Sequence, residues 1–372
     1  MGIRRTRLVL AAALAMVVQA ALFLAVWLHR WDALLDDAYI SFRYAARWAE
    51  GRGLTWNDGV YVEGFSNPLW TLGLGIVDRV TGLPPHVTAP WLGLAALLAM
   101  APVLLVLVRS LGLGAQAAVL LLGLQAVDAG MALWAGSGME TVPTALLVAG
   151  GLAAPAALAR SPRFGLGVVL GLFCALQTVS RPEGIVWAGI AGIWLIWGAW
   201  APLRVLAGWA LGLAPALGFL LFRWVTYHQF VPNTFFAKVE TDPSAASHGV
   251  LVAGRWVLLY LPVLLVLAWS VWRRRVPGGT SASRMARFWW TYPAGLVLVE
   301  LAFLVAAGGD WMGATRYMTP VLPACLILVA GGVSLWPGRS AVRNALVAGM
   351  IVIQGLVGWT WRDTIPTYTR EG

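Results

Sequence analysis

The sequence predicts an all-α, polytopic membrane helical bundle of about eleven transmembrane helices. Two observations carry that prediction. Of 372 residues, 60% are hydrophobic and only 11% are charged, less than half the charged share of a soluble domain. The apolar residues also fall in runs of about 20, the length of helix that crosses roughly 30 Å of hydrocarbon. In lipid the backbone must satisfy its own hydrogen bonds, which leaves helices or a closed barrel, and runs of this length select helices.

The first span, 8–28, follows Arg4, Arg5 and Arg7. It has the charged start of a signal peptide but no clear small-residue cleavage site, so it reads as a retained signal anchor. A polar and amphipathic stretch, 29–86, forms the first extracytoplasmic loop, with 66–80 read as a helix lying along the surface. Further spans are expected at 87–108, 114–134, 141–159, 164–180, 184–203, 205–223, 249–272, 288–307, 318–336 and 341–361. Residues 276–287 read as a cytoplasmic linker. The whole chain, 1–372, is thus one transmembrane domain, with no C-terminal soluble domain.

The net charge of +10 would suggest a nucleic-acid partner in a soluble protein; here it reports orientation, and no nucleic acid is expected. The inferred cytoplasmic ends hold Arg109, Arg160, Arg163, Arg204, Arg273, Arg274, Arg275, Arg284, Arg287, Arg339 and Arg343, and no Asp or Glu. Every acidic residue is placed on the outer side, save Glu300 within a span. That asymmetry sets the N-terminus inside. Cys174 and Cys325 sit in apolar runs and read as small hydrophobic residues. His228 and His248 are too sparse for a zinc site, and no metal site is assigned.

Five polar constellations land on the outer face. They are Asp36-Asp37, Gly136-Ser-Gly-Met-Glu140, Ser180-Arg-Pro-Glu-Gly184, Pro232-Asn-Thr-Phe-Phe-Ala-Lys238, and Gly308-Gly-Asp-Trp-Met312 with Arg316-Tyr317. Ionisable groups recurring at one level of a bundle line a water-filled cavity. An Asp pair can supply a base for a hydroxyl, or simply begin a solvated helix. Arg181 can fork onto phosphate oxygens, or pair with Glu183. Lys238 and Arg316 suit a phosphate or an acidic loop. Glu140 can bond sugar hydroxyls or favour the helix start after it, and Trp56 or Trp311 can stack on a sugar.

At these residues the chain resembles the polyprenyl-phosphate-sugar-dependent membrane glycosyltransferases of the GT-C superfamily, in the branch of the mycobacterial terminal arabinofuranosyltransferase. The matching stretches are Asp36–Tyr44, Gly51–Asn57, Val62–Trp70, Ser137–Thr141, Arg181–Gly184, Pro232–Lys238 and Gly308–Asp310, in family order. The resemblance implies a GT-C type bundle with juxtamembrane helices in the first loop and an outward cavity for a lipid-phosphate-linked sugar. It implies Asp36 as catalytic base, with Asp37 as supporting carboxylate. Arg181, Lys238 and Arg316 would bind the donor phosphate. Arg43, Tyr44, Glu63, Glu140, Glu183, Asn233 and Asp310 would bind sugar or acceptor. Transfer would be direct and inverting, from a polyprenyl-phosphate sugar donor to an envelope glycan, lipid or protein acceptor, at the bacterial inner membrane. No cofactor is required, although adjacent carboxylates are compatible with a divalent cation. Larger relatives carry a soluble domain after the last span, whereas this chain stops at Gly372, so acceptor recognition falls to the loops or a partner. A transporter or flippase of lipid-linked sugars is the alternative; it predicts ionisable groups near the midplane and internal symmetry.

Overall fold

A computed structural model describes residues 2–29, 34–198, 201–234, 247–258, 281–309, 316–334 and 340–361. Lys238, Asp310, Trp311, residues 276–280 of the expected 276–287 linker and residues 259–272 of the expected 249–272 span lie outside the described residues; the rest of the expected linker, 281–287, is not a loop but the start of a helix, Ser281–Ala306. Among the described residues the protein is helical and has no strand; Asn57 and Val60 form one isolated bridge across a turn.

Helix α1, Gly2–His29, leads to two helices within the first loop, α2 at Asp36–Ala49 and α3 at Pro68–Thr81. Both are amphipathic. Helix α2 buries Ala38, Ser41, Phe42, Tyr44 and Ala45, and α3 buries Pro68, Trp70, Thr71, Leu74 and Gly75. This is the three-to-four-residue repeat of a helix with one buried face. The two pack together, and a Cβ on Gly75 would lie 2.9 Å from the Trp48 ring. The expected surface helix at 66–80 is α3.

Three helical stretches are long and apolar enough to cross a membrane: Leu8–Leu28, Pro85–Leu111 and Thr141–Arg160. The second is helix α4; the third combines α7, Thr141–Gly151, and α8, Ala153–Arg160. Two more are bent pairs. Helices α5, Ala115–Ala126, and α6, Ala129–Gly136, meet at 50°; α11, Leu203–Gly212, and α12, Ala214–Tyr227, meet at 41°. Helices α9, Phe164–Ser180, and α10, Gly184–Ile193, which continues as a π-turn at Trp194–Gly198, are shorter. So are the apolar parts Thr291–Ala306, Thr319–Ser334 and Asn344–Leu356 of the remaining helices. The protein is therefore an α-helical membrane protein, with three helices, or five if each bent pair is one span, long and apolar enough to cross among the described residues.

One expectation is corrected. Asp128 does not join the acids of the loop end; it is buried at the α5–α6 break, where its Oδ1 accepts from the Met131 amide at 2.8 Å. An Asp at the first residue before a helix satisfies one of the free amides there, and this is how an acid sits inside an apolar run. Glu300 is the second interior acid; the Trp187 indole donates to its Oε2 at 3.0 Å.

The end of the bundle opposite the first loop gathers the arginines. Arg204 donates to the Pro162 carbonyl at 3.3 Å, Gln116 to Asn344 Oδ1 at 2.6 Å, and Arg160 lies beside Gly112. Helices α9 and α11 approach closely, glycine to backbone. A Cβ on Gly167 or Gly171 would fall 2.3 Å from Val205 O or 2.1 Å from Trp209 O. A Cβ on Gly208 or Gly212 would fall 2.4 Å from Phe164 O or 2.3 Å from Val168 O. Paired small-xxx-small stretches allow this contact, which lipid cannot drive by hydrophobicity. Gly171→Leu should therefore lower stability by about 2–3 kcal/mol. Gly189→Ala, with nothing within 4 Å of the added methyl, should change it by less than about 1 kcal/mol. Thermal unfolding in detergent, followed by tryptophan fluorescence, checks both.

Candidate active site

The site is built around Arg181. Helix α9 ends at Ser180, and Arg181 follows in extended conformation with its amide on Gln177 O at 3.0 Å. The chain turns through Pro182 and Glu183, and the Gly184 amide closes the turn on Arg181 O at 3.0 Å. A Cβ on Gly184 would sit 2.3 Å from Gln177 O, so the turn requires glycine there. This turn aims Arg181 inward, 5% exposed. Its Nη1 donates to Glu140 Oε1 at 2.8 Å, and its Nε donates to Glu183 Oε1.

Glu140 passes the connection to the first loop. Its Oε2 accepts from Asn67 Nδ2 at 2.6 Å. Asn67 Oδ1 in turn accepts from Ser41 on α2 at 2.8 Å and from Thr71 on α3 at 3.0 Å. Trp70 donates its indole N–H to Gly138 O at 2.9 Å, and the Leu35 amide donates to Ser137 O at 3.1 Å. Gly138 has φ of +82°, and a Cβ there would lie 2.8 Å from Phe42, so the Ser137–Glu140 turn can nest against α2 only with glycine at this point. On the other side, the Arg181 guanidinium lies 5.5 Å from the Tyr317 ring centre, and that of Arg316 lies 4.8 Å from the same ring. Four sequence-predicted residues, Arg181, Arg316, Glu140 and Glu183, are thus brought together, all buried.

A second cluster joins the loop to α12. Arg223 donates to Glu63 Oε1 through Nε at 3.0 Å and Nη2 at 2.9 Å, and its Nη1 donates to Phe230 O at 3.1 Å. Glu63 O accepts from the Asn233 amide at 3.1 Å, which fixes the start of the segment leading towards Lys238. Burial raises the Glu63 carboxyl above the usual carboxylate range, against the lowering effect of Arg223. Tyr44 donates its hydroxyl to Val62 O at 2.5 Å and accepts from the Gly64 amide at 3.0 Å; burial raises its phenol as well. Arg43 donates to Trp56 O at 2.9 Å and to Asn57 Oδ1 at 2.7 Å, with its guanidinium over the Trp56 ring at 4.6 Å. Tyr44, Glu63 and Arg43 therefore shape the loop through their own contacts.

Asp36 and Asp37 occupy the first turn of α2, where the helix dipole favours negative charge. Asp36 is exposed and Asp37 half-buried; Asp36 Oδ1 accepts from the Asp37 amide at 2.8 Å. Neither takes part in the ion pairs formed among the described residues. Glu63, Glu140, Glu183 and Asp58 all do. The Leu35–Ser137 hydrogen bond sets this pair at the edge of the Glu140 turn. Among the described residues, no three His, Cys, Asp or Glu side chains are grouped to hold a metal ion. Asn67 and Arg223 were absent from the sequence-derived site. Arg223 carried a signal, being a lone cation in the predicted 205–223 span; Asn67 carried only its position before Pro68.

No protein-family model and no curated protein sequence matches the chain. The fold is nevertheless one seen in solved proteins. It is similar to ArnT from Cupriavidus metallidurans in the apo state, with a TM-score of 0.61 and 18% identity, over 95% of this chain and 65% of that one. ArnT bound to undecaprenyl phosphate gives 0.57 and 17%, over 92% and 64%. The Archaeoglobus fulgidus oligosaccharyltransferase, in complex with Zn and sulfate, gives 0.57 and 14%, over 97% and 54%. The chain thus spans less than two thirds of each of these proteins.

Two outcomes are expected. Arg181→Met strands two buried carboxylates and should cost about 3–5 kcal/mol of stability, read as a lower thermal midpoint and exposure of the first loop to protease. The second concerns pH. A carboxyl raised in the folded state contributes stability below its unfolded value, near 4.5, and that contribution is lost as pH rises through the folded value. Glu63→Gln should remove this dependence from a pH series of melting curves.

Proposed function

We propose that this chain is an integral membrane glycosyltransferase. It moves a sugar from a polyprenyl-phosphate donor to an envelope glycan, lipid or protein acceptor, on the extracytoplasmic side of a bacterial inner membrane with the N-terminus in the cytoplasm. The observation that carries this reading is the overlap of its fold with ArnT, solved with undecaprenyl phosphate, across 92% of this chain. It is supported by the polar motifs that meet at the end of the bundle bearing the first loop.

In this reading Asp36 is the general base. It accepts the proton of the acceptor hydroxyl as that oxygen bonds to the anomeric carbon and the carbon–oxygen bond to the lipid phosphate breaks, inverting the centre. An exposed carboxylate with no ion pair among the described residues suits that role better than Glu140 or Glu183, whose charge is engaged by Arg181. Asp37 orients acceptor or donor. Lys238 and Arg316 stabilise the charge growing on the departing phosphate. Arg181, with two carboxylates on it, holds the site together and contributes little net charge to the phosphate. No step needs a cofactor; a divalent ion, if used, would take oxygens of Asp36 and Asp37.

Sugar transfer in proteoliposomes tests the reading, with a panel of polyprenyl-phosphate sugars. Arabinofuranose is tried first because the loop motifs resemble that branch. Wild type should transfer one of them, and Asp36→Asn should lose about 100-fold or more in rate with donor binding kept. Donor binding with movement of the lipid-linked sugar across the bilayer, and no transfer, would replace the enzyme by a flippase.

A further inference from the structure

The outward face of α2 carries more than the candidate base. Ala38, Ser41, Phe42, Tyr44 and Ala45 are buried, so the opposite face of the helix looks away from the bundle. Asp36, Tyr39 and Arg43 lie along that opposite face, at steps of three and four residues. A rise of about 1.5 Å per residue sets Tyr39 about 5 Å and Arg43 about 10 Å from Asp36 along the axis, the lengths of one and two sugar units in a chain. Arg47 continues the row, and its ion pair with Asp58 closes it.

Two aromatic rings stand open here. Tyr39 is 51% exposed, and Trp56, in the turn after α2, is 38% exposed. Both are held by neighbours. Tyr39 rests edge-on against Phe42, ring centres 5.2 Å apart. Trp56 lies beneath the Arg43 guanidinium at 4.6 Å, and its carbonyl accepts from Arg43 Nε at 2.9 Å. A ring fixed before binding loses little freedom when a ligand lands on it. Open rings beside a carboxylate and a guanidinium fit a carbohydrate, whose C–H faces stack on rings and whose hydroxyls bond to charged side chains. A lipid surface would instead meet apolar side chains, which α3 offers at Ile76 and Val80.

We infer that the outward face of α2 is an acceptor subsite for a glycan chain. Tyr39 stacks on the sugar next to the one whose hydroxyl meets Asp36, and Trp56 stacks on the sugar beyond. The acceptor is then an oligosaccharide rather than a bare lipid or a protein side chain, and Tyr39 helps to select it. The role of Asp36 rests on the glycosyltransferase reading; the stacking does not.

The test uses the full-length protein in nanodiscs, without donor, and linear oligosaccharides of arabinose, galactose, mannose, rhamnose and N-acetylglucosamine as probes. Saturation-transfer NMR reads both binding and the sugar protons that lie against rings. Wild type should bind at least one of these probes. Tyr39→Ala should weaken that binding about tenfold with its thermal midpoint unchanged, and Tyr39→Phe should keep it within about twofold. Val80→Ala, on the exposed side of α3, should leave it unchanged. In the transfer assay Tyr39→Ala should raise the acceptor KM about tenfold and leave the donor KM alone. Tyr39-dependent binding by a wild type that transfers no sugar would support the subsite and remove the glycosyltransferase reading. No probe bound by wild type, or binding that survives Tyr39→Ala and Trp56→Ala together, would overturn the subsite. So would a spin label at Tyr39→Cys reached by lipid-soluble oxygen rather than by an aqueous nickel chelate, which would put the ring in the bilayer interface.

Discussion

A guanidinium held inside a membrane protein by two carboxylates is the constraint on which the rest of the first-loop end of the bundle depends. Burying Arg181, Glu140 and Glu183 costs several kcal/mol per ion before any attraction is counted. The arrangement persists because each charge meets an opposite one, and because the remaining oxygen of Glu140 meets Asn67. Three separate parts of the chain supply these groups: the α9–α10 turn, the turn before α7, and the start of α3. Remove the guanidinium and each acid loses the ion pair it forms with Arg181.

The same logic explains how a soluble-looking loop becomes part of a membrane bundle. Helices α2 and α3 have apolar faces that cover the bundle, while polar anchors to buried charged side chains include Asn67 on Glu140 and Glu63 on Arg223. With both anchored, the first turn of α2 lies beside the Glu140 turn and presents Asp36 and Asp37 outward. The paired acids serve as frame, and Asp36 and Asp37 stand outside the ion pairs formed among the described residues.

Much of this was legible in the sequence, for physical reasons. Apolar runs reveal a membrane bundle because the bilayer demands length, and Asp36-Asp37 at a helix start is a local pattern. Arg181 and Glu183 are two residues apart, so their pairing could be weighed from the sequence. Glu140 lies 41 residues from Arg181, and Glu63 lies 160 from Arg223; only the packing of helices brings them together. Helix breaks were harder. Pro215 at the start of α12 marks the second bend. Asp128 reads in the sequence as an outer-face acid, whereas as the residue capping α6 it marks the first bend.

The central claim is that Asn67 and Arg181, which do not bond to each other, act through Glu140 as one unit. A double-mutant cycle with Asn67→Ala and Arg181→Met, measured as unfolding free energy in detergent, tests it most directly. The account predicts non-additivity of about 0.5–3 kcal/mol, because removing either side already slackens Glu140. Effects that add to within about 0.3 kcal/mol would mean two independent anchors, and the account of a single buried hub would be wrong.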